Sequence, residues 1–482
     1  MDMDHAACYR VICERDARFD GRLFTGVKTT GVYCRPICPA RTPKAENVLF
    51  FPTAAAAQEA GFRPCLRCRP ETAPDLGAWN GASNTVNRGL RLIEDGALDE
   101  ADVETLAGRL GVGERQLRRL FRQHLGASPV AVAQTRRVLL AKQLIAETAL
   151  PMTEVAFAAG FGSLRRFNET FQVLFGRSPS ALRRAGAAEI SAADAGEVAL
   201  TLPYRPPYDW DAIIGFLAAR AIAGVETVTR EAYARSVRIG ADAGVITVRP
   251  APANALAIAV RFPALSALPQ IIARVRRVFD LSADPTAIGA HLAKDPQLAP
   301  LVAARPGLRT PGAWDGFELA CRAILGQQVS VAAAARLAGE LTRRFGDPLA
   351  EPRFGLTHAF PRPKAIAGAD LSDLPMPRSR QGALAAFARA VIAEPDLLAP
   401  ACGLEEAVER LKALPGVGEW TAQYIALRQL RLPDAFPAAD LGLARALADP
   451  AGRRPTAAEL LARAEPWRPW RAYAAQHLWA AA

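Results

Sequence analysis

The sequence lacks any apolar run long enough to cross a membrane, and it begins with no recognisable signal peptide. Alanine-rich stretches such as Ala54–Ala57 fall far short of the roughly 20 residues that a transmembrane helix needs. Cysteine is scarce, with eight residues in 482. These absences predict a soluble, cytoplasmic protein without membrane partners, and a reducing compartment in which disulfides are disfavoured.

Acidic residues are too few to balance the basic ones. The chain has 59 lysines and arginines against 48 aspartates and glutamates, a net charge of +11. Residues 1–185 contain 26 basic and 19 acidic residues, so +7 of that charge lies in the N-terminal part. This asymmetry favours a polyanion such as DNA as a partner of the N-terminal region. The length allows three or four domains, each with its own core.

Half of the cysteines follow the spacing of a metal site. They are Cys34, Cys38, Cys65 and Cys68, which form a C-x-x-x-C pair and a C-x-x-C pair. Four thiolates suit a tetrahedral zinc ion, with Zn–S distances of about 2.3 Å. The other cysteines, Cys8, Cys13, Cys321 and Cys402, have no ligand spacing. The sequence therefore predicts one zinc ion, and two disulfides are the weaker alternative.

The residues around these cysteines resemble the methyl-accepting zinc domain of the bacterial adaptive-response regulators, the Ada family. The similarity covers Thr29–Arg41 and Gly61–Cys68. It implies that one zinc-bound thiolate, Cys34, takes a methyl group irreversibly from a DNA methylphosphotriester. It also implies contacts to the DNA backbone from Thr30, Arg41, Arg63 and Arg67. A closed, structural zinc site with a basic solvated face is the alternative.

An internal repeat with a 50-residue offset follows the zinc region. Phe121–Pro129 and Phe171–Pro179 share an F…G-x-S-P pattern, and Gly111 and Gly160 occupy equivalent turns. Each unit reads as helix, glycine turn and helix, which predicts a tandem helix-turn-helix. The predicted core residues are Leu106, Leu110, Leu117 and Phe121 in the first unit, and Val155, Phe161, Phe167 and Phe171 in the second.

The second helix of each unit, starting near Gly113 and near Gly162, carries the residues suited to DNA. These are Arg115, Gln116, Arg118, Arg119 and Arg122 in one unit, and Ser163, Arg165, Arg166 and Asn168 in the other. Arginine and asparagine pair with base edges in the major groove, and outer arginines suit phosphates. The arrangement resembles the AraC-type DNA-binding domain; ordinary solvated helix faces are the alternative.

Two small-residue segments divide the chain. Arg69–Ser83 and Gly186–Gly196 read as linkers. Between the second linker and about Ser282, periodicity predicts a helix over Tyr208–Ala223, strands, and a further helix over Ile271–Asp280. The predicted strands are Ser236–Ile239, Gly244–Arg249 and Leu256–Phe262. From Pro285 onward the pattern is nearly all helical.

Leu414–Ala422 carries the L-P-G-x-G signature of a helix-hairpin-helix. Gly416 and Gly418 would allow the tight hairpin, whose backbone N–H groups can hold a DNA phosphate. Asp440 lies 22 residues beyond Gly418, an order typical of the helix-hairpin-helix DNA glycosylases. Because Asp440 also precedes the apolar run Leu441–Leu447, its alternative role is to cap a helix, and both roles can coexist.

Further motifs resemble 3-methyladenine DNA glycosylase II, the AlkA type. They are Pro206–Trp210, Gly215–Ala221, Ala323–Ser330 and Trp467–Arg471. The resemblance implies a base pocket lined by Phe216, Trp420, Tyr424 and Trp479, although each ring could instead fill a core. Electron-rich rings attract a cationic methylated purine, and its charge makes it a good leaving group. Asp440 would then stabilise the sugar oxocarbenium ion and orient water.

The resemblance also assigns roles by position, with some departures. Gln328 stands where a wedge residue, usually leucine, fills the gap left by a flipped base, and Leu441 replaces a tyrosine beside the aspartate. Trp420 stands where glycosylase/lyases have their Schiff-base lysine, so a monofunctional hydrolase is implied. No P-C-H-R run is present, so direct reversal of O6-methylguanine is not expected.

The sequence therefore predicts a multidomain, mainly α protein with small α+β parts. The expected parts are a zinc domain (1–75), a tandem helix-turn-helix (84–185), a linker (186–198), a mixed α/β subdomain (199–284) and an all-helical helix-hairpin-helix glycosylase domain (285–482). The expected function is an alkylation-damage regulator joined to a glycosylase. Expected partners are alkylated and promoter double-stranded DNA and RNA polymerase, with the protein as a monomer. A regulator with an inactive glycosylase-like domain, or a repair enzyme tethered by its N-terminal domains, is the alternative.

Overall fold

A computed structural model describes residues 4–74, 84–183, 196–399 and 402–481. The chain divides into two compact units, Met1–Tyr204 with Ala264–Ala273, and Arg205–Pro263 with Arg274–Ala482. Within the described ranges, no helix combines the length and the apolar character that a bilayer crossing requires. Most of the second predicted linker, and residues 75–83 of the first, lie outside the described residues.

The first unit consists of short strands followed by helices. Its elements are α1 (His5–Glu14), β1 (Phe24–Val27), β2 (Val32–Cys34), β3 (Val48–Phe51), α2 (Ala54–Glu59), β4 (Arg63–Pro64), α3 (Asn84–Glu94), α4 (Ala97–Glu100), α5 (Val103–Arg109), α6 (Glu114–Leu125), α7 (Pro129–Glu147), α8 (Met152–Ala158), α9 (Leu164–Phe175) and β5 (Val198–Pro203).

Strands β1 to β4 form one sheet in the order β3-β1-β2-β4. Strand β2 pairs antiparallel with β1 and parallel with β4, with Val32 opposite Arg63 and Tyr33 opposite Pro64. The parallel register matters because both strands end at the same edge, one at Cys34 and the other just before Cys65. The sheet thus brings the two halves of the cysteine motif together.

Helices α5–α6 and α8–α9 form the two predicted helix-turn-helix units. The turns contain Gly111 and Gly160 at φ +68° and +89°, a region that glycine enters without strain. All eight predicted core residues are buried, with Leu117, Phe121, Val155, Phe167 and Phe171 at 0% exposure. The α6 helix begins directly after Gly113, and α9 begins at Leu164 with Ser163 as its cap. This part of the prediction is confirmed.

The zinc region packs against α7 through buried polar contacts. The Lys142 ammonium, on α7, donates to the Cys65 carbonyl (3.0 Å) and to Glu71 Oε2 (2.5 Å), and Lys142 and Glu71 are both buried. Burial lowers the pKa of Lys142, an effect that its ion pair with Glu71 opposes. Arg69 bridges Glu71 and Glu147. The predicted linker is therefore wrong at Arg69–Glu71, where ordered side chains anchor the zinc region.

The second unit is mainly helical, with one larger sheet and one hairpin. Its elements are α10 (Trp210–Ala218), β6 (Glu226–Val228), β7 (Tyr233–Ile239), β8 (Asp242–Ala251), β9 (Ala255–Arg261), α11 (Leu268–Val278), α12 (Pro285–Leu292), α13 (Ala299–Ala304), α14 (Gly316–Leu325), α15 (Val331–Phe345), β10 (Asp347–Arg353), β11 (Leu356–Ala359), α16 (Pro363–Ala367), α17 (Arg378–Ala393), α18 (Leu404–Lys412), α19 (Glu419–Arg428), α20 (Leu441–Ala446), α21 (Ala457–Ala464) and α22 (Arg471–Ala481). Helix α11 starts within the first unit's Ala264–Ala273 segment.

Strands β6 to β9 pair antiparallel in sequence order, which confirms the three predicted strands with changes of length. Both predicted helices are present, but the first, predicted over Tyr208–Ala223, is shorter and spans Trp210–Ala218. The prediction of an all-helical region after Pro285 is wrong at one place, the β10–β11 hairpin. Two prolines, Pro348 and Pro352, obscure this strand in the sequence. Phe354 and Gly355 form its turn with φ values of +54° and +78°, as a tight hairpin requires.

Candidate functional sites

The four cysteines of the motif converge on one point. Their sulfur atoms all lie within 4.8 Å of one another, close to the spacing of about 3.8 Å that four sulfurs around a tetrahedral zinc ion adopt. Backbone N–H groups of Arg35 and Arg67 point at the sulfurs of Cys68 and Cys65, each at 3.4 Å. Such donors stabilise thiolates. Donor type, number and spacing therefore all fit one zinc ion.

One face of the cluster opens to solvent. Cys34 and Cys38 are half-buried, whereas Cys65 and Cys68 are buried. A cavity of about 370 Å³ exposes Cys34 together with the side chains predicted to contact the DNA backbone, namely Thr30, Arg41, Arg63 and Arg67. Of these, Thr30, Arg41 and Arg67 are exposed. A thiolate at this position is accessible to a ligand, and cationic side chains surround it.

The predicted reading helices present their polar residues to solvent. Arg118 pairs with Glu114 at 2.9 Å, Arg165 pairs with Glu169 at 2.7 Å, and Arg119 donates to Gln116. Arg115 and Arg166 are also exposed. Exposed ion pairs one helical turn apart contribute little to stability, because water and salt screen them. DNA phosphates or base edges can therefore replace these partners at little cost.

The helix-hairpin-helix consists of α18, the predicted hairpin and α19. Gly416 has a φ of +78°, and a Cβ there would lie 2.3 Å from the Ala383 side chain, so glycine is required. Gly418 is the exposed N-cap residue of α19, and no side chain caps the first N–H groups of that helix. The Gln327 carboxamide donates to the Gly416 carbonyl at 2.8 Å, which ties the predicted wedge loop to the hairpin. The wedge residue Gln328 is exposed at φ +57°.

Asp440 is both a helix cap and the acceptor of two indole hydrogen bonds. Its Oδ1 accepts from the backbone N–H groups of Gly442 (2.8 Å) and Leu443 (3.0 Å), which caps α20. The same oxygen accepts from Trp479 Nε1 at 2.8 Å, and Oδ2 accepts from Trp420 Nε1 at 2.7 Å. Four donors thus hold the half-buried carboxylate in one orientation.

A cavity of about 750 Å³ opens beside this carboxylate, and all four predicted pocket rings line it. Trp420 stacks on Tyr424, with ring centroids 5.1 Å apart and planes 10° from parallel. Trp479 meets Tyr424 edge to face at 6.5 Å. Among the described residues that line the cavity there is no lysine. The arrangement places an aromatic wall beside the fixed Asp440 carboxylate, and four further carboxylates also line the cavity, those of Asp211, Glu226, Asp315 and Glu318.

Comparisons with known proteins match each part of the chain to a family. The metal binding domain of Ada matches residues 7–71, a helix-turn-helix domain 106–185, the AlkA N-terminal domain 199–315, and the HhH-GPD superfamily of base excision DNA repair proteins 321–471. The "Probable bifunctional transcriptional activator/DNA repair enzyme AlkA" of Mycobacterium tuberculosis is 45% identical over 99% of this chain and 97% of its own length. The chain belongs to this Ada–AlkA family.

Two further comparisons concern the C-terminal part. DNA-3-methyladenine glycosylase 2 of Escherichia coli is 39% identical over 58% of this chain and 96% of its own length. The structure of a 3-methyladenine DNA glycosylase from Archaeoglobus fulgidus superimposes with a TM-score of 0.52, at 22% identity, over 58% of this chain and 97% of that one. The similarity to the Archaeoglobus structure supports the fold alone.

The Ada–AlkA chain thus combines an Ada-type methyl-acceptor domain with one zinc site, a helix-turn-helix domain and an AlkA-type glycosylase domain, and DNA is its partner.

Sequence reasoning missed the arginines that line the aromatic cavity, two of which contact the predicted pocket rings. The buried Arg428 and the half-buried Arg220 both line it. Burial lowers the pKa of Arg428 to about 10. Burial alone would raise the pKa of Tyr424, but the guanidinium groups of Arg428 and Arg220 outweigh that effect and lower it. The spacing of Arg428 could have revealed it, because it lies four residues after Tyr424 and eight after Trp420, and residues with that spacing share one face of a helix.

Proposed function

We propose that this Ada–AlkA protein removes alkylated bases at Asp440 and, separately, accepts methyl groups from DNA phosphotriesters at Cys34, which activates its binding to promoter DNA. The observation that carries the first activity is the Asp440 carboxylate, held by two indole N–H groups at the edge of an aromatic cavity. That geometry positions a negative charge where a flipped nucleotide would enter.

In the glycosylase, the N-glycosidic bond of a 3-methyladenine or 7-methylguanine nucleotide breaks as the sugar becomes an oxocarbenium ion. Asp440 stabilises this cation and orients the water that adds to it, and the base leaves with the bonding electrons. Gln328 fills the gap in the duplex, and the N–H groups around Gly416 and Gly418 hold a phosphate. With Trp420 instead of a Schiff-base lysine, the reaction is monofunctional hydrolysis.

In the methyl acceptor, Cys34, Cys38, Cys65 and Cys68 would hold one zinc ion, which keeps their sulfurs deprotonated at neutral pH. The Cys34 thiolate attacks the methyl carbon of a phosphotriester. An S–CH3 bond forms, the CH3–O bond breaks, and the electron pair leaves on the phosphate oxygen as a phosphodiester anion. Thr30, Arg41, Arg63 and Arg67 bind the flanking phosphates.

One incubation tests both activities. Full-length protein is mixed with duplex DNA carrying radioactive methyl groups, and released bases and protein-bound methyl are measured from the same sample. We expect catalytic release of methylated purines, and at most one phosphotriester methyl per chain. Methyl transfer without base release would favour the alternative, a regulator with an inactive glycosylase-like domain. Base release without methyl transfer would favour a repair enzyme whose N-terminal region only tethers it.

Methylation of Cys34 should strengthen promoter binding through charge. Zinc with four thiolates carries a net charge of −2, and the methylated site carries −1. Arg41, Arg63 and Arg67 are then less neutralised, and at 5–8 Å from a phosphate one unit of charge is worth about 1–3 kcal/mol. We expect an affinity gain of roughly ten- to a hundredfold that diminishes as salt rises, measured by titrating promoter DNA over a salt series.

The matched control for this prediction is the unmodified protein incubated with the same duplex without phosphotriester methyl groups, which leaves the four-cysteine site intact and Cys34 unmethylated and should show no gain. Equal affinities of methylated and unmethylated protein at every salt concentration would contradict the switch. Contact with RNA polymerase, action as a monomer and a cytoplasmic location complete the proposal.

A further inference from the structure

The aromatic pocket holds a buried cation that the Ada–AlkA resemblance does not assign. The Arg428 guanidinium carbon lies 4.5 Å from the ring centroid of Phe216, 5.2 Å from that of Trp479 and 5.5 Å from that of Tyr424. Arg428 is only 2% exposed. Three of the four rings proposed to receive the base are thus already in cation–π contact with the protein's own arginine.

Uncharged groups hold this guanidinium in place. Its two terminal nitrogens donate to the Pro311 carbonyl and to Gln476 Oε1, each at 2.9 Å. Its buried Nε has no hydrogen-bond partner among the described residues. Because none of these hydrogen-bond partners is a carboxylate, Arg428 has no counter-ion in direct contact, and the carboxylate that the mechanism uses, Asp440, lines the same cavity.

A second arginine contributes from another element. The Arg220 guanidinium carbon lies 4.0 Å from the Phe216 centroid, and its Nη1 donates to the Phe216 carbonyl at 3.3 Å. Arg322 donates to the Arg220 carbonyl at 2.6 Å and is itself paired with Glu226 and Glu318. This network fixes the backbone of Arg220 at the pocket wall. Phe216 therefore has two cations against its ring.

Two positive groups change which bases the pocket favours. Ring faces attract a cationic base, but here guanidinium groups already contact the faces of Phe216, Tyr424 and Trp479. A base with its own positive charge meets like-charge repulsion from these guanidinium groups, which opposes the attraction of the Asp440 carboxylate in the same cavity. An uncharged purine meets no such repulsion. Of the four rings, Trp420 alone has no guanidinium group from the described residues against its face.

We propose that Arg428, assisted by Arg220, is a specificity-determining residue that disfavours cationic bases in the pocket and so favours uncharged damaged purines relative to them. This inference rests on the proposed glycosylase function. Cationic bases would still be better leaving groups than uncharged ones. They would not, however, bind the pocket more tightly than uncharged bases, as they would if only the aromatic rings were present.

The test compares one cationic and one uncharged lesion. The steady-state kcat/KM for base release is measured with the full-length, zinc-loaded protein on duplexes that contain 7-methylguanine or hypoxanthine. We expect Arg428→Gln to raise the ratio of 7-methylguanine to hypoxanthine excision by about tenfold or more, since one unit of positive charge is removed from the rings that would receive the base. The matched variant Arg428→Lys keeps the charge, and its ratio should stay within about threefold of the original.

Folding and function have separate controls. Thermal melting and affinity for an abasic-site duplex show whether Arg428→Gln is folded. If it is not, Arg220→Gln at the half-buried position is the test, with an expected rise in the same ratio of at least about threefold. An unchanged ratio, or an equal loss on both lesions, in a folded variant would overturn the inference. If the unmodified protein released neither base, the proposed glycosylase function would fail instead.

Discussion

Asp440→Asn is expected to reduce the release of 3-methyladenine by at least about a hundredfold while leaving the fold and DNA affinity intact. The loss follows from charge, because a neutral amide cannot offset the developing oxocarbenium ion. Asparagine is an equally good helix cap, so the hydrogen bonds to Gly442 and Leu443 can persist. Base release under single-turnover conditions, with thermal melting alongside, measures both effects.

The indole contacts supply the control for this variant. In the unmodified protein Trp420 Nε1 donates to Asp440 Oδ2. In the variant the amide N–H2 group would face that indole N–H, so the ring would reorient, and this change could also slow the reaction. Trp420→Phe removes that donor, and the double variant removes the conflict between two donors. If charge is decisive, the double variant stays at least about a hundredfold slower than Trp420→Phe alone. Near-normal excision by Asp440→Asn would leave Asp440 as a helix cap only.

Removal of zinc is expected to abolish methyl transfer and to unfold the region from Asp4 to Glu71. The β1–β4 sheet is small, and in such domains zinc binding provides about 10–16 kcal/mol of folding free energy. Carefully purified, reduced protein should contain one zinc per chain. Chelation should then remove amide-exchange protection from this region, while base release persists, because every residue lining the aromatic cavity lies in the second unit.

Two cysteine variants sharpen the zinc prediction. Cys38→Ser removes a member of the cluster and should lower zinc affinity strongly. Cys13→Ser changes an exposed cysteine outside the cluster and should retain one zinc and full methyl transfer. A zinc content near zero in the unmodified, reduced protein would contradict the prediction.

Patterns that depend on neighbouring residues were readable from the sequence. The cysteine spacing indicated the cluster, the paired glycines indicated the turns before α6 and α9, and the L-P-G-x-G run indicated the hairpin at Gly416. The turns, the hairpin and each separate cysteine pair rest on geometry within a few residues, whereas the pairing of β2 with β4 brings the two cysteine pairs together. The choice of Cys34 as acceptor and of the four pocket rings came from resemblance, since no spacing distinguishes one thiolate or one aromatic ring from another.

Features that depend on distant residues were missed. The Lys142–Glu71 ion pair joins positions 71 residues apart, and the Arg428 contacts with Phe216 and Gln476 join three separate elements. No local pattern reports such packing. The β10–β11 hairpin was missed for a different reason, because its prolines oppose strand formation and its pairing with a neighbour outweighs that local preference.

The Lys142 contact determines how freely the N-terminal parts could be exchanged between relatives. A chimera that took residues 1–74 from a protein without an acid at the position of Glu71 would leave a buried ammonium without its counter-ion, a loss of about 3–5 kcal/mol. The reciprocal exchange of α7 would remove one of the two cations that pair with Glu71 and would leave Arg69 as its partner. Recombination that succeeds should therefore carry the zinc region and α7 together, because the two partners of this buried ion pair lie one in each.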